Sequence, residues 1–225
     1  MENAGKLRLL LTARDATATN SIISVKREFY PIETLPETEA KILIKKVLDV
    51  NEKELNRSQM DQIVSICGGV PKLLTVVAGF IGCEGNAQEA FDTVKEAWEN
   101  NWKGKIGDDI ERYVFACNKL EKDLREAFLD ICSFFQGWDW EELSNIVGKP
   151  ALDSLQRRAL VTQDVKSMTA TVHDVILTVG LRETKEERFR FSSTSEVREF
   201  LDQEDEVWTN FSKKYIQFCF KVCLS

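Results

Sequence analysis

The sequence holds a single histidine, His173, in the run Thr171-Val172-His173-Asp174-Val175-Ile176. Val172, Val175, Ile176 and Val179 recur at i, i+3, i+4 and i+7, the apolar stripe of a helix. His173 and Asp174 fall off that stripe, in the first turn of the predicted helix. Backbone N–H groups are unpaired there and the helix dipole favours a negative ligand, so an imidazole beside such an end suits a phosphate contact. The competing reading is an exposed or capping pair with no ligand.

The totals narrow the chemistry. Thirty basic residues against 37 acidic ones leave a net charge of −7 over 225 residues, which argues against a generally basic nucleic-acid binder. The six cysteines are dispersed, without CxxC or Cys/His zinc spacing. Cys67 and Cys132 fall on apolar helical faces and read as small buried hydrophobes in a reducing compartment. With one histidine, no metal site is expected, and no nucleophile elbow points to classical catalysis. The N-terminal residues lack the features of a secretory signal, and no apolar run approaches the length of a membrane span.

The elements that position these residues follow from periodicity and punctuation. Leu7 to Leu11 reads as a buried strand ending in Thr12-Ala13-Arg14-Asp15, and Val25 to Ile32 as a second short strand. Pro36 opens a helix to about Val50, with acids in its first turn. A helix over Ser58 to Cys67, striped by Met60, Ile63, Val64 and Cys67, ends at Gly68-Gly69, which suits a left-handed C-cap. Pro71 starts a helix to about Ile81 that is apolar nearly all round, and Asn86 to Trp102 makes a fourth. Gly104 to Gly107 is a boundary. Helices follow over Asp109–Cys117, Asp123–Phe135 and Trp140–Val147, then one opening at Pro150. The second of these carries Leu124, Ala127, Phe128, Ile131, Phe134 and Phe135 as core packing. Leu160–Val165 and Met168–Val172 form a predicted hairpin, and helices followed by a two-stranded wing describe a winged helix-turn-helix. Phe189–Phe191 reads as a short strand and Thr194–Leu201 as a helix. Residues 207–225 have no clean period.

Five segments, in order, resemble the back half of the NB-ARC nucleotide-binding module of plant disease-resistance receptors, over roughly residues 6 to 202. Leu9-Leu10-Leu11-Thr12-Ala13-Arg14-Asp15 resembles that family's strand ending in Thr-Thr-Arg. Cys67-Gly68-Gly69-Val70-Pro71 resembles its Gly-Leu-Pro-Leu segment. Phe128-Leu129-Asp130-Ile131-Cys132-Ser133-Phe134-Phe135 is similar to a helix typical of the subclass with a TIR domain. Leu152 to Val161 resembles the stretch that follows it, and Val172-His173-Asp174 resembles the Met-His-Asp motif.

The resemblance implies roles. Arg14 would contact the terminal phosphate of ATP, as a guanidinium fork suits phosphate oxygens. Pro71 would pack against adenine. His173 would contact the β-phosphate of ADP and lock the winged helix onto the nucleotide, with Asp174 restraining the helix start. Departures are evident too. Gly5-Lys6-Leu7, Gly104-Lys105-Ile106 and Gly148-Lys149-Pro150 all lack the hydroxyl of a phosphate-binding loop. Ala13 stands for a threonine, Lys72 for a leucine and Val172 for a methionine.

The expected fold class is mainly α: a helical bundle plus a winged-helix domain, preceded by a remnant strand of a P-loop α/β domain. The expected divisions are residues 1–34, the remnant; 35–104, the bundle; 105–190, the winged helix; and 191–225, a C-terminal extension. The expected function is the ADP-binding switch of a cytoplasmic or nuclear plant immune receptor in defence signalling. Here it would be truncated, weak or absent in ADP/ATP binding, and without ATPase activity. Its expected partners are the missing N-terminal nucleotide-binding segment, leucine-rich repeats and other receptor chains, with no nucleic acid and no membrane span. One alternative is a winged-helix DNA binder reading through Asp153 to Arg158, against which the surrounding acids weigh. Another is a non-enzymatic decoy or regulator that pairs with intact receptors.

Overall fold

The computed structural model describes residues 30–102 and 109–187, and these are mainly α-helical. The strand over Leu7–Leu11, Arg14, the strand over Phe189–Phe191 and the helix over Thr194–Leu201 lie outside the described residues, as does 207–225. Of the proposed strand Val25–Ile32, the described part, Tyr30 to Ile32, is irregular and exposed.

α1 (Glu37–Val50) follows the extended backbone of Pro36, and Glu37 and Glu39 place negative charge in its first turn. Ala40, Ile44 and Leu48 line one side and bury it against α3. α2 (Arg57–Cys67) begins with a capping box between Asn56 and Gln59 and ends at Gly68 in the left-handed region, φ 58°. Its buried positions are Gln59, Ile63, Ile66 and Cys67, whereas Met60 and Val64 are only partly covered. Gln59 is drawn inward because its amide both closes the cap and donates 2.6 Å to the Gln88 side chain.

α3 (Pro71–Cys83) is the central helix, packed by α1, α2, α4, α5 and α8. Every residue from Val76 to Gly82 is buried, which is why its sequence shows no polar face there. α4 (Ala87–Ala97) is capped by the Asn86 side chain. The helix expected to continue to Trp102 changes form at Trp98, where a π-helical turn covers Trp98–Trp102 and the Arg112 guanidinium lies over the Trp98 ring.

α5 (Asp109–Asn118), α6 (Lys122–Phe134), α7 (Trp140–Val147) and α8 (Lys149–Arg157) come next. The boundary at Gly104–Gly107 lies outside the described residues; on either side of it the helices share one apolar cluster, with Phe80 edge-on to Phe115. β1 (Thr162–Gln163) and β2 (Ala170–Thr171) pair antiparallel, Thr162 opposite Thr171 and Gln163 opposite Ala170. α9 (Asp174–Glu187) then packs on α5 and α6.

The strands are shorter than the alternation predicts, for three local reasons. Ala159 turns left-handed, φ 57°, so Leu160 and Val161 N–H both point back to the Leu155 carbonyl. Asp164 closes the tip by accepting from the Lys166 and Ser167 amides. Val172 gives its backbone to the Gln136 side chain instead of a strand. The hairpin also gains a neighbour the sequence did not suggest: Gly137 and Ala170 bond to each other's segment, and Trp140 N–H reaches the Met168 carbonyl.

Candidate phosphate-contact site at the start of α9

His173 is the residue just before α9, and its position is fixed from three directions. The Gln136 amide brackets Val172, its Oε1 accepting from Val172 N–H at 3.1 Å and its Nε2 donating to the Val172 carbonyl at 3.4 Å. Ile176 and Val179 are fully buried beneath α9. Arg125 to Glu183 and Arg182 to Glu111, each 2.9 Å, tie α9 to α6 and α5. His173 itself is exposed, as its place off the stripe required.

The imidazole caps its own helix. His173 Nδ1 accepts from Val175 N–H at 3.4 Å, and the His173 carbonyl takes the first helical bond from Leu177. With Nδ1 engaged by the backbone, Nε2 is the ring nitrogen that remains for a ligand. Asp174 is exposed beside it and adds a negative charge to the same turn. That charge suits the helix dipole but opposes a polyanion, so the local chemistry offers one hydrogen bond to a phosphate rather than a cradle.

Pro71 occupies the first turn of α3 and is exposed. The turn before it is tightly held: Leu35 N–H donates to the Gly69 carbonyl at 2.9 Å, and a Cβ on Gly69, φ 71°, would meet the Leu35 oxygen at 2.7 Å. Pro71 and His173 thus stand at the starts of different helices, and among the described residues no hydrogen bond or ion pair links them. Arg14, the third phosphate contact the resemblance implies, lies outside the described residues.

Lys72, conspicuous in an apolar stretch, reaches across 87 positions to donate 2.7 Å to the Ala159 carbonyl. Burial lowers its pKa. It meets the turn just past the end of α8, on the side where the helix dipole favours a cation. Beside it Arg158, with only 12% of its side chain exposed, pairs with Glu84 at 3.1 Å. Lys72 and Arg158 therefore belong to a seam between α3 and the turn after α8. Of the two arginines considered for DNA contact, Arg157 is exposed and Arg158 is committed to that seam.

Among the described residues the buried thiols are not poised for chemistry. Burial pushes Cys67 and Cys117 up to about 12 and raises Cys132 further, so the reactive thiolate is scarce at neutral pH. Among the described residues no group of His, Cys, Asp or Glu could hold a metal ion, and no helix is long and apolar enough to cross a membrane.

At the hairpin tip, the Ser167 and Lys166 amides hold Asp164 below the ordinary 3.8 of an aspartate. A depressed carboxylate contributes stability above its unfolded pKa and loses it as pH falls through the folded value. On acidification the Lys166 and Ser167 amide resonances are expected to move with a midpoint below 3.8, and Asp164→Ala to abolish that titration. A midpoint at or above 3.8 would contradict the cap.

Sequence reasoning found His173 and its exposure but missed Gln136, an exposed glutamine in a turn with no periodic signal, and the Arg158–Glu84 pair, whose members are 74 positions apart. No protein-family model matches this chain, and no curated protein matches it.

Proposed function

We propose that this chain is the ADP-responsive switch portion of a TIR-type NB-ARC plant immune receptor, a nucleotide-binding module of defence signalling in the cytoplasm, not an enzyme. The observation that carries the reading is His173: the sole histidine, exposed, at the N-cap of α9 directly after the hairpin, with its backbone neighbour clamped by Gln136. Nδ1 is held by the Val175 amide and the side chain is exposed, so Nε2 is the nitrogen that would donate to a phosphate oxygen. In this reading the bundle and the winged helix close on ADP through His173, Asp174 steadies the turn, Pro71 meets the adenine and Arg14 the terminal phosphate of ATP. The chain's partners would be the nucleotide-binding segment and leucine-rich repeats of an intact receptor.

His173 contributes one charge-assisted bond, about 1.5–3 kcal/mol, which is less than the roughly 4 kcal/mol of millimolar affinity. ADP binding by this chain alone is therefore expected to be millimolar or weaker, without ATP hydrolysis. A single histidine makes the test direct, because the imidazole nitrogen spectrum of the untagged chain contains one side chain. Titrating ADP is expected to shift the His173 Nε2 resonance, adenosine without phosphate to leave it in place, and Gln136→Ala to weaken the response. An Nε2 resonance indifferent to ADP at tens of millimolar would overturn the assignment.

A further inference from the structure

The outer side of α1 is unusual for a helix on an acidic protein. Ile42, Lys45, Lys46, Asp49 and Val50 recur at i, i+3, i+4, i+7 and i+8 and form one open, outward face of the helix. Ile42 and Val50 are each 68% exposed. They stand opposite Ala40, Ile44 and Leu48, which α3 covers. Lys41 is engaged with Glu37 and Asp61, but Lys45 and Lys46 make no salt bridge among the described residues. The face thus offers two apolar ends, about 12 Å apart at 1.5 Å per residue, with Lys45, Lys46 and the single carboxylate of Asp49 between them, a net charge of +1.

The sequence contains the complementary pattern. Leu201, Glu204, Asp205 and Trp208 recur at i, i+3, i+4 and i+7, within an acidic stretch that also holds Asp202 and Glu206. Its apolar pair has nearly the separation of Ile42 and Val50, and its two acids fall where α1 places Lys45 and Lys46. An amphipathic segment laid on an apolar surface is read through anchors at this spacing. Reach is sufficient. Fourteen residue steps separate Glu187, the end of α9, from Leu201. They extend to about 45 Å, more than the roughly 40 Å diameter of a domain of this size.

We infer that the acidic segment 197–208 of this chain docks on the outer face of α1, with Leu201 and Trp208 against Ile42 and Val50 and with Glu204 and Asp205 opposite Lys45 and Lys46. Docking removes two exposed apolar side chains from solvent and sets Glu204 and Asp205 against Lys45 and Lys46, ahead of the Asp49 carboxylate.

Hydrogen exchange of the full chain, read by mass spectrometry at low protein concentration, tests this. The peptide covering 197–208 is expected to exchange about tenfold more slowly in the natural chain than in K45E/K46E, a difference of about 1.4 kcal/mol. Val50→Ser is expected to lose the same protection without touching charge. E204K/D205K alone loses it, and the four-site charge swap K45E/K46E/E204K/D205K restores it. Protection across α3 serves as the fold control and stays constant, because the substituted α1 side chains are exposed. Equal exchange of 197–208 in the natural chain and in K45E/K46E would overturn the inference. So would protection that rises with protein concentration, which would mark a second copy as the occupant.

Discussion

Gly79→Ala is expected to destabilise the chain by about 1–3 kcal/mol, lowering its thermal midpoint by roughly 3–10 °C. The direction opposes simple helix propensity, by which alanine gains about 0.5–1 kcal/mol over glycine inside a helix. The reason is the backbone it faces. A Cβ at Gly79 would stand 2.8 Å from the Arg158 carbonyl carbon and 2.9 Å from the Arg157 oxygen and the Arg158 Cα. None of those atoms can swing aside as a side-chain tip can, so α3 and the end of α8 must separate. Separation also stretches Lys72 from the Ala159 carbonyl and Arg158 from Glu84. Gly85→Ala is the control, since nothing lies within 4 Å of a Cβ there. Thermal melts of the two variants check the argument: a Gly79→Ala midpoint equal to or above the natural one would show that the seam yields freely.

Phe128→Ala is expected to have the largest effect, about 3–5 kcal/mol, close to the whole stability of a marginal domain. Phe128 is fully buried at the middle of α6, among the largest side chains in the core. Its ring edge lies 3.5 Å from the Cβ position of Gly180, where α9 crosses, and Cys132 already crowds that glycine. The helices meet too closely for the space to be refilled by a small shift of one residue. In urea the midpoint should fall while the slope stays constant, the mark of lost stability without a changed unfolded state. A loss below about 1 kcal/mol would mean that α9 closes the cavity.

Local grammar made much of the helical framework readable. Pro71, the Gly68-Gly69 pair and the apolar repeat from Leu124 to Phe135 each state a boundary or a face by themselves, and those helices stand within a residue or two of where the pattern put them. Asn86 marks a helix start in the sequence, and in the structure its side chain caps α4. Features decided by distant neighbours were not readable. Ala159 carries no sign of a left-handed turn, because the turn serves Lys72 from another helix. Gly137 and Trp138 look like a plain turn until the hairpin supplies their partners. At the candidate site, the exposure of His173 could be derived from a stripe that excludes it. The hold of Gln136 on Val172 could not, since a glutamine side chain standing in for a strand leaves no periodic trace.

The seam also sets an order of events in folding. The Lys72–Ala159 bond joins positions 87 apart and the Arg158–Glu84 pair positions 74 apart. α1 to α4, by contrast, meet through near neighbours in the chain, as do α6 to α8. Contacts of long separation carry a larger loop-closure cost before they return any attraction, so the local helix groups are expected to condense first and the seam to close late, together with the docking of α9 on α5 and α6. Substitutions at Lys72, Gly79 or Arg158 are then expected to act mainly on how fast the finished chain comes apart, whereas Phe128, which packs within α6 to α8 and also against the distant α9, is expected to move both rates.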